Sequence, residues 1–366
     1  MIKSIIILLT IALLTSCATL GAQEPSGIVC GDSASSAERE ANRVALAAAF
    51  AASRVVDLPR CRVHTSTTIV LNSVRDLRII GYSSAVLTDS ALQIGIISHD
   101  PMLPVLSFTN QTRRVVASNL YLAYSSNAAA DVPAILIENS ASLRLEHLML
   151  FSSTIYDGIH FNATTPCGDS GPGDVCVVTL VGLQAYGHRG SGVIASGLVT
   201  YGALPVIYSV GGPIIAGGYG IAGTAAYKAL PYSVIIVEQG YMYLAEYMMK
   251  CSANTLCSAS DVFFEPSHYG VFAEGPNTRI AITNSKFNIA LADNYAVSTE
   301  GVMLSSIISG NLFHTLAHDA IFVDTANIAI MGNVFSGPDT LKAVRFGIDG
   351  LVGSYESNNA RFGGVK

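Results

Sequence analysis

Four lines from the last third of the chain decide its fold: Gly270-Val271-Phe272-Ala273-Glu274, Tyr295-Ala296-Val297-Ser298-Thr299-Glu300, Ala320-Ile321-Phe322-Val323-Asp324 and Lys342-Ala343-Val344-Arg345-Phe346. A second short apolar run follows in three of the blocks, at Arg279–Ile282, Met303–Ile308 and Ile328–Met331. A third closes them in related phrases, Ser285-Lys286-Phe287, Asn311-Leu312-Phe313 and Asn333-Val334-Phe335. With Val271, Val297, Ile321 and Val344 taken as equivalent, the steps are 26, 24 and 23 residues; Ile135 and Ile159 stand 24 apart. A repeat of about this length, with three short strands and no helix, reads as one coil of a parallel β-helix. A single coil exposes its apolar face, and stacking buries that face in a continuous column.

Composition agrees. Of 366 residues, 50% are hydrophobic and only 13% charged, against roughly 25% charged in an average domain. Stacked inward positions have no room for ionised side chains, which are expensive away from water. The same balance excludes a disordered chain. A net charge of −6, with 20 Lys and Arg and no basic cluster, excludes the electrostatic footprint of a nucleic-acid binder.

Residues 1–17 read as a targeting segment: a positive start at Met1–Lys3, an apolar core at Ile5–Leu14, then Leu14-Thr15-Ser16-Cys17. That phrase resembles the bacterial lipobox, which implies acylation of Cys17, and Ala18 after it implies the outer membrane. The alternative is an ordinary signal peptide cut near Ala18–Ala22. Either reading exports the chain, and the only membrane contact expected is the lipid anchor. Six further cysteines suit an oxidising compartment. Cys167/Cys176 and Cys251/Cys257 are close in sequence, and Cys30/Cys61 remain by elimination. After a linker (18–27), Ser35-Ser36-Ala37-Glu38 reads as a capping box. It opens a helix with small apolar residues at Ala41, Val44, Ala45, Ala48, Ala49 and Ala52. The expected organisation is a capping helix and lead-in strand over 28–66, then solenoid over 67–366. Residues 190–245 fit the period least and read as coils with irregular turns, or as an inserted loop over the binding face.

Gly31-Asp32, the Ala-rich helix, Val55-Val56-Asp57-Leu58-Pro59 and Ile79-Ile80-Gly81 resemble the N-terminal start of the tailspike-type branch of the pectate-lyase-like superfamily. The resemblance implies a right-handed, single-stranded parallel β-helix with a short N-terminal capping α-helix. It is specific for fold and weak for activity, since this scaffold hosts lyases, hydrolases, epimerases and non-catalytic adhesins.

Candidate chemistry follows from alternation along each first strand. If Val271, Val297 and Ile321 point inward, then Phe272, Phe322 and Arg345 point outward, with His160 in an earlier coil. Glu274, Glu300 and Asp324 then form an outward column on three successive coils. Carboxylates ~5 Å or up to ~9.5 Å apart are the pairs used by retaining and inverting glycosidases. The plainer reading closes each strand into a solvated turn, and a third has the carboxylates hold Ca²⁺; no other cofactor is implied. A second column, Asp157, Asp293 and Asp319, reads as turn stabilisation. The expected function is an exported cell-envelope protein that binds, and as a hydrolase or lyase cleaves, a polysaccharide or cell-surface glycan. Glu274, Glu300 and Asp324 would be catalytic, and His160, Phe272, Phe322 and Arg345 would contact substrate. The alternative is a non-catalytic adhesin or structural rod.

Overall fold

The computed structural model describes residues 24–83, 94–167, 176–186, 189–198, 204–217, 223–265, 268–289, 295–315, 319–337, 343–347 and 355–363. Cys17, the apolar leader and Asp293 lie outside them. The chain winds as a right-handed parallel β-solenoid with one short helix near its start. First and second strands of the coils form one 21-stranded sheet, and third strands a 12-stranded sheet.

The register is the one that the repeat predicts. Val271 pairs with Val297, Val297 with Ile321, Ile321 with Val344, and Ile135 with Ile159. These side chains, with Val193, Tyr227 and Met249 in the coils between, are buried, apart from a half-buried Val344. Full burial of one Val, Leu, Ile or Phe contributes about 1.5–3 kcal/mol, so such columns hold coil to coil. In the third strands Phe264, Phe287, Phe313 and Phe335 form a ladder, with centroids 4.4, 4.7 and 5.0 Å apart. Beside it runs an asparagine ladder. Asn311 Oδ1 accepts from Ser285 N–H, Asn333 Oδ1 from Asn311 N–H, and Asn359 Oδ1 from Asn333 N–H, at 2.8–2.9 Å. The corner of each coil would otherwise orphan these backbone donors.

One prediction of separate strands is corrected. The first and second runs merge into Val297–Ser309 and Ile321–Met331. Gly301, at φ +84°, turns the corner while pairing to Thr325, so hydrogen bonding to the next coil continues through it. Over 190–245, strands Val193–Ser196, Pro205–Val210, Ile214–Ala216, Ala225–Ala229, Val234–Glu238 and Tyr241–Tyr243 stay in register with both neighbours. Among the described residues that stretch is solenoid with irregular turns, not an inserted loop.

Helix α1, Ser36–Ala52, begins with the expected capping box: Glu38 N–H donates to Ser35 Oγ, and Ser35 N–H to Glu38 Oε2. Leu46 and Phe50 are buried against the solenoid end. Asn42, fully buried, accepts from Val29 N–H and donates to the carbonyls of Val29 and His64. A wire of side chains then ties α1 to two coils. His64 Nε2 lies 3.0 Å from Asp32 Oδ1, His64 Nδ1 lies 2.8 Å from His99 Nε2, and Arg39 Nη1 lies 2.7 Å from His99 Nδ1. A carboxylate only accepts and a guanidinium only donates. The polarity is therefore fixed: Arg39 donates to His99, His99 to His64 and His64 to Asp32, with both imidazoles neutral. Strands from Val55 onward already pair within the sheets. Three disulfides join Cys30–Cys61, Cys167–Cys176 and Cys251–Cys257. Among the described residues no helix is long and apolar enough to cross a membrane.

Candidate functional site

With Val271, Val297 and Ile321 inward, alternation turns their neighbours out. Phe272, Ser298, Phe322 and Arg345 are successive register partners. The column runs back through Lys250, Lys228, Ile194 and His160 to Leu136. Two residues further along the strands Glu274 pairs with Glu300, and Glu300 with Asp324. Coils repeat at the ordinary strand spacing of ~4.8 Å, so three carboxylate-bearing positions follow one another on one outer face. The next coil offers Gly347, whose N–H donates to Val323 O at 2.8 Å. A Cβ there would sit 2.2 Å from Asp324 Oδ1. The column thus ends on a residue that leaves the Asp324 carboxylate its place.

The carboxylates are not equally free. Lys250 Nζ lies 3.4 Å from Glu274 Oε1 and over the rings of Tyr247 and Phe272, at 4.8 and 5.5 Å. Tyr247 and Tyr269 stack at 5.2 Å, and each also packs on Phe272 at 5.3 Å. Phe272 is consequently only 8% exposed; it underlies the surface that the two tyrosines and Lys250 present. Phe322 stacks on Tyr295 at 5.0 Å, and Arg345 is exposed beyond it.

Burial raises the Tyr247 hydroxyl to about 12, aided by Glu246, Tyr269 and Glu274. Burial raises Tyr269 as well, with Glu300, Glu246 and Tyr295 contributing. Both phenols are therefore neutral hydrogen-bond donors set among carboxylates at neutral pH, the pairing that sugar hydroxyls can bridge. Among the described residues no three His, Cys, Asp or Glu side chains form a group able to hold a metal ion.

Of the residues singled out in the sequence, Glu274, Glu300, Asp324, Phe272, Phe322 and Arg345 share one stretch of the outer face. His160 does not join them. Ile194, Lys228 and Lys250 stand between it and Phe272 in the column, about 19 Å at ~4.8 Å per coil. Asp157 pairs in register with Pro133 and is not repeated there. Lys250, Tyr247, Tyr269 and Tyr295 were not singled out. A tyrosine two residues before each inward position, in Tyr247-Met248-Met249, Tyr269-Gly270-Val271 and Tyr295-Ala296-Val297, was the signal that would have found them.

No protein-family model matches the chain. No curated protein matches it. Solved structures do. A DFA-IIIase from Arthrobacter chlorophenolicus A6 in complex with GF2 is similar over 86% of this chain and 84% of its own, with a TM-score of 0.54 and 11% identity. The A-module of a mannuronan C-5 epimerase from Azotobacter vinelandii is similar over 94% and 97%, with a TM-score of 0.51 and 14% identity. At these identities the shared property is the fold.

Proposed function

We propose that this chain is an exported carbohydrate-active protein that binds an extended polysaccharide along the outer face of the first strands and cleaves it with Glu274, Glu300 and Asp324. The observation that carries the reading is the register of the three carboxylates, one per coil, beside neutral phenols and Lys250. A sugar unit is close to a coil in length, so a chain laid along the axis meets one carboxylate per residue. Backbones ~4.8 Å apart bring adjacent carboxylates near the ~5–5.5 Å of retaining hydrolysis, and alternate ones near the ~6.5–9.5 Å of inverting hydrolysis. One carboxyl serves as general acid and another as base or nucleophile. Glu300 belongs to every adjacent pair. That solved structures with this fold are carbohydrate-active enzymes, among them the DFA-IIIase and the mannuronan epimerase, is consistent with the reading.

A polysaccharide panel incubated with the purified protein tests this. New reducing ends report hydrolysis, and unsaturated sugar ends report elimination. Neither product and no binding on any glycan would leave the rigid rod as the better account. Three disulfides suit an extracellular or periplasmic location. We assign membrane attachment to acylation at Cys17. Metabolic labelling with an alkyne fatty acid should mark the wild-type protein and not Cys17→Ser; equal labelling would remove the anchor.

A further inference from the structure

Away from the carboxylate column, the outer face carries a second arrangement that the solenoid itself does not require. Asp157 is 4% exposed, and its Oδ2 lies 2.9 Å from His160 Nε2. Its Oδ1 accepts from Ser191 N–H at 2.5 Å. The same position one coil earlier is Pro133, so the corner folds without an acid there. Room for the carboxylate has been cleared: a Cβ at Gly190 would lie 2.1 Å from Asp157 Oδ1 and 2.8 Å from the Tyr156 ring. The imidazole belongs to the outward column and is 16% exposed. A carboxylate accepts only, so Nε2 carries the hydrogen, and in the neutral ring Nδ1 is the bare nitrogen. Among the described residues no protein group bonds to that nitrogen.

We propose that Asp157 is a positioning residue that locks His160 in the Nε2–H tautomer, leaving Nδ1 as a hydrogen-bond and proton acceptor for a hydroxyl of a glycan lying on this face. The ligand class rests on the functional reading above, while the tautomer does not. His160 would then serve as an anchor about four coils from the carboxylates, at the far end of the same track. A chain of several sugars is needed to span both.

The test is the long-range proton–nitrogen spectrum of the ¹⁵N-labelled full chain, recorded at a pH where histidine is neutral. In the wild type, His160 should show a protonated Nε2 and a bare Nδ1. In Asp157→Asn, Oδ1 can still accept from Ser191, which turns the amide NH₂ toward the ring. That donor requires a bare Nε2, so the tautomer should swap to Nδ1–H. Mixed tautomers in the wild type, or an unchanged tautomer in Asp157→Asn, would overturn the proposal; if the variant does not fold, the wild-type spectrum alone decides. Diethyl pyrocarbonate, which attacks bare imidazole nitrogens, is expected to modify His160, and protection there would contradict an open Nδ1. On whichever long glycan the panel returns, His160→Gln should raise KM at least tenfold. An unchanged KM on the long glycan would overturn the anchoring role. A panel that returns no glycan removes the ligand class and the cleavage reading together, and the spectrum still separates that failure from a failure of the lock.

Discussion

Gly347 shows how much of the proposed chemistry depends on a residue with no side chain. Its missing Cβ is what lets Asp324 lie over the next coil. Gly347→Ala should therefore displace the Asp324 carboxylate and reduce turnover, with little change in melting temperature. Kinetics of the variant beside thermal unfolding check this, and full activity would mean that Asp324 is not used. At the helical cap the residue to watch is His99. Burial, then Arg39 and then His64, hold its imidazole below the ordinary histidine range. A histidine whose folded pKa is depressed binds its proton more tightly when unfolded, so stability is lost as pH falls below about 6.5, the unfolded value. Asp32, held low by His64 and Arg62, loses its contribution further into acid, in the same direction. Urea midpoints at pH 7 and pH 5 should fall for the wild type and fall less for His99→Gln. Equal drops would show that the wire does not sense the proton. The wire was not legible in the sequence. His64 and His99 are 35 positions apart, and nothing in either local pattern says that they meet.

Among the structural elements, the third strands and their corners are the most regular part, and also the best read. Phe287, Phe313 and Phe335 follow Lys286, Leu312 and Val334, whose equivalence the phrases themselves displayed. The asparagines two residues before Phe313 and Phe335 stabilise turns. They do so between coils, each accepting from the backbone of the coil before it. Asn333→Ala leaves the buried Asn311 N–H without its acceptor and removes a donor from Ile308 O. An unsatisfied buried group costs about 1–3 kcal/mol, so denaturant unfolding should shift by at least that much. A shift below ~0.5 kcal/mol would mean that water replaces the amide. The first strands were read less completely. Alternation showed correctly that Phe272 leaves the core, yet outward is not the same as exposed. Tyr247 and Tyr269 are the first residues of their strands, and both pack on Phe272. Strict alternation puts Tyr269 on the side of Val271, so it does not anticipate that contact.

At the scale of the whole molecule, the period of inward Val and Ile residues was enough to recover the solenoid. Each inward side chain must meet its equivalent one coil away, so equivalence in sequence becomes contact in space. The column of Glu274, Glu300 and Asp324 follows from that same register, which is why it was legible before any coordinates. Its neighbourhood was not: Lys250 and Tyr247 come from the coil before the four lines that show the period, and Tyr269 and Tyr295 stand ahead of the inward positions by which those lines are aligned. The central claim is that this column does chemistry on a glycan, and Glu300→Gln tests it most directly because the change removes one acid and keeps the shape. Product release from the best polysaccharide of the panel should be measured for wild type and variant at equal folded concentration, with melting followed in parallel. A fall in kcat/KM of about 10²-fold or more with unchanged melting is the predicted result, and undiminished product release by a normally folded Glu300→Gln would contradict the account.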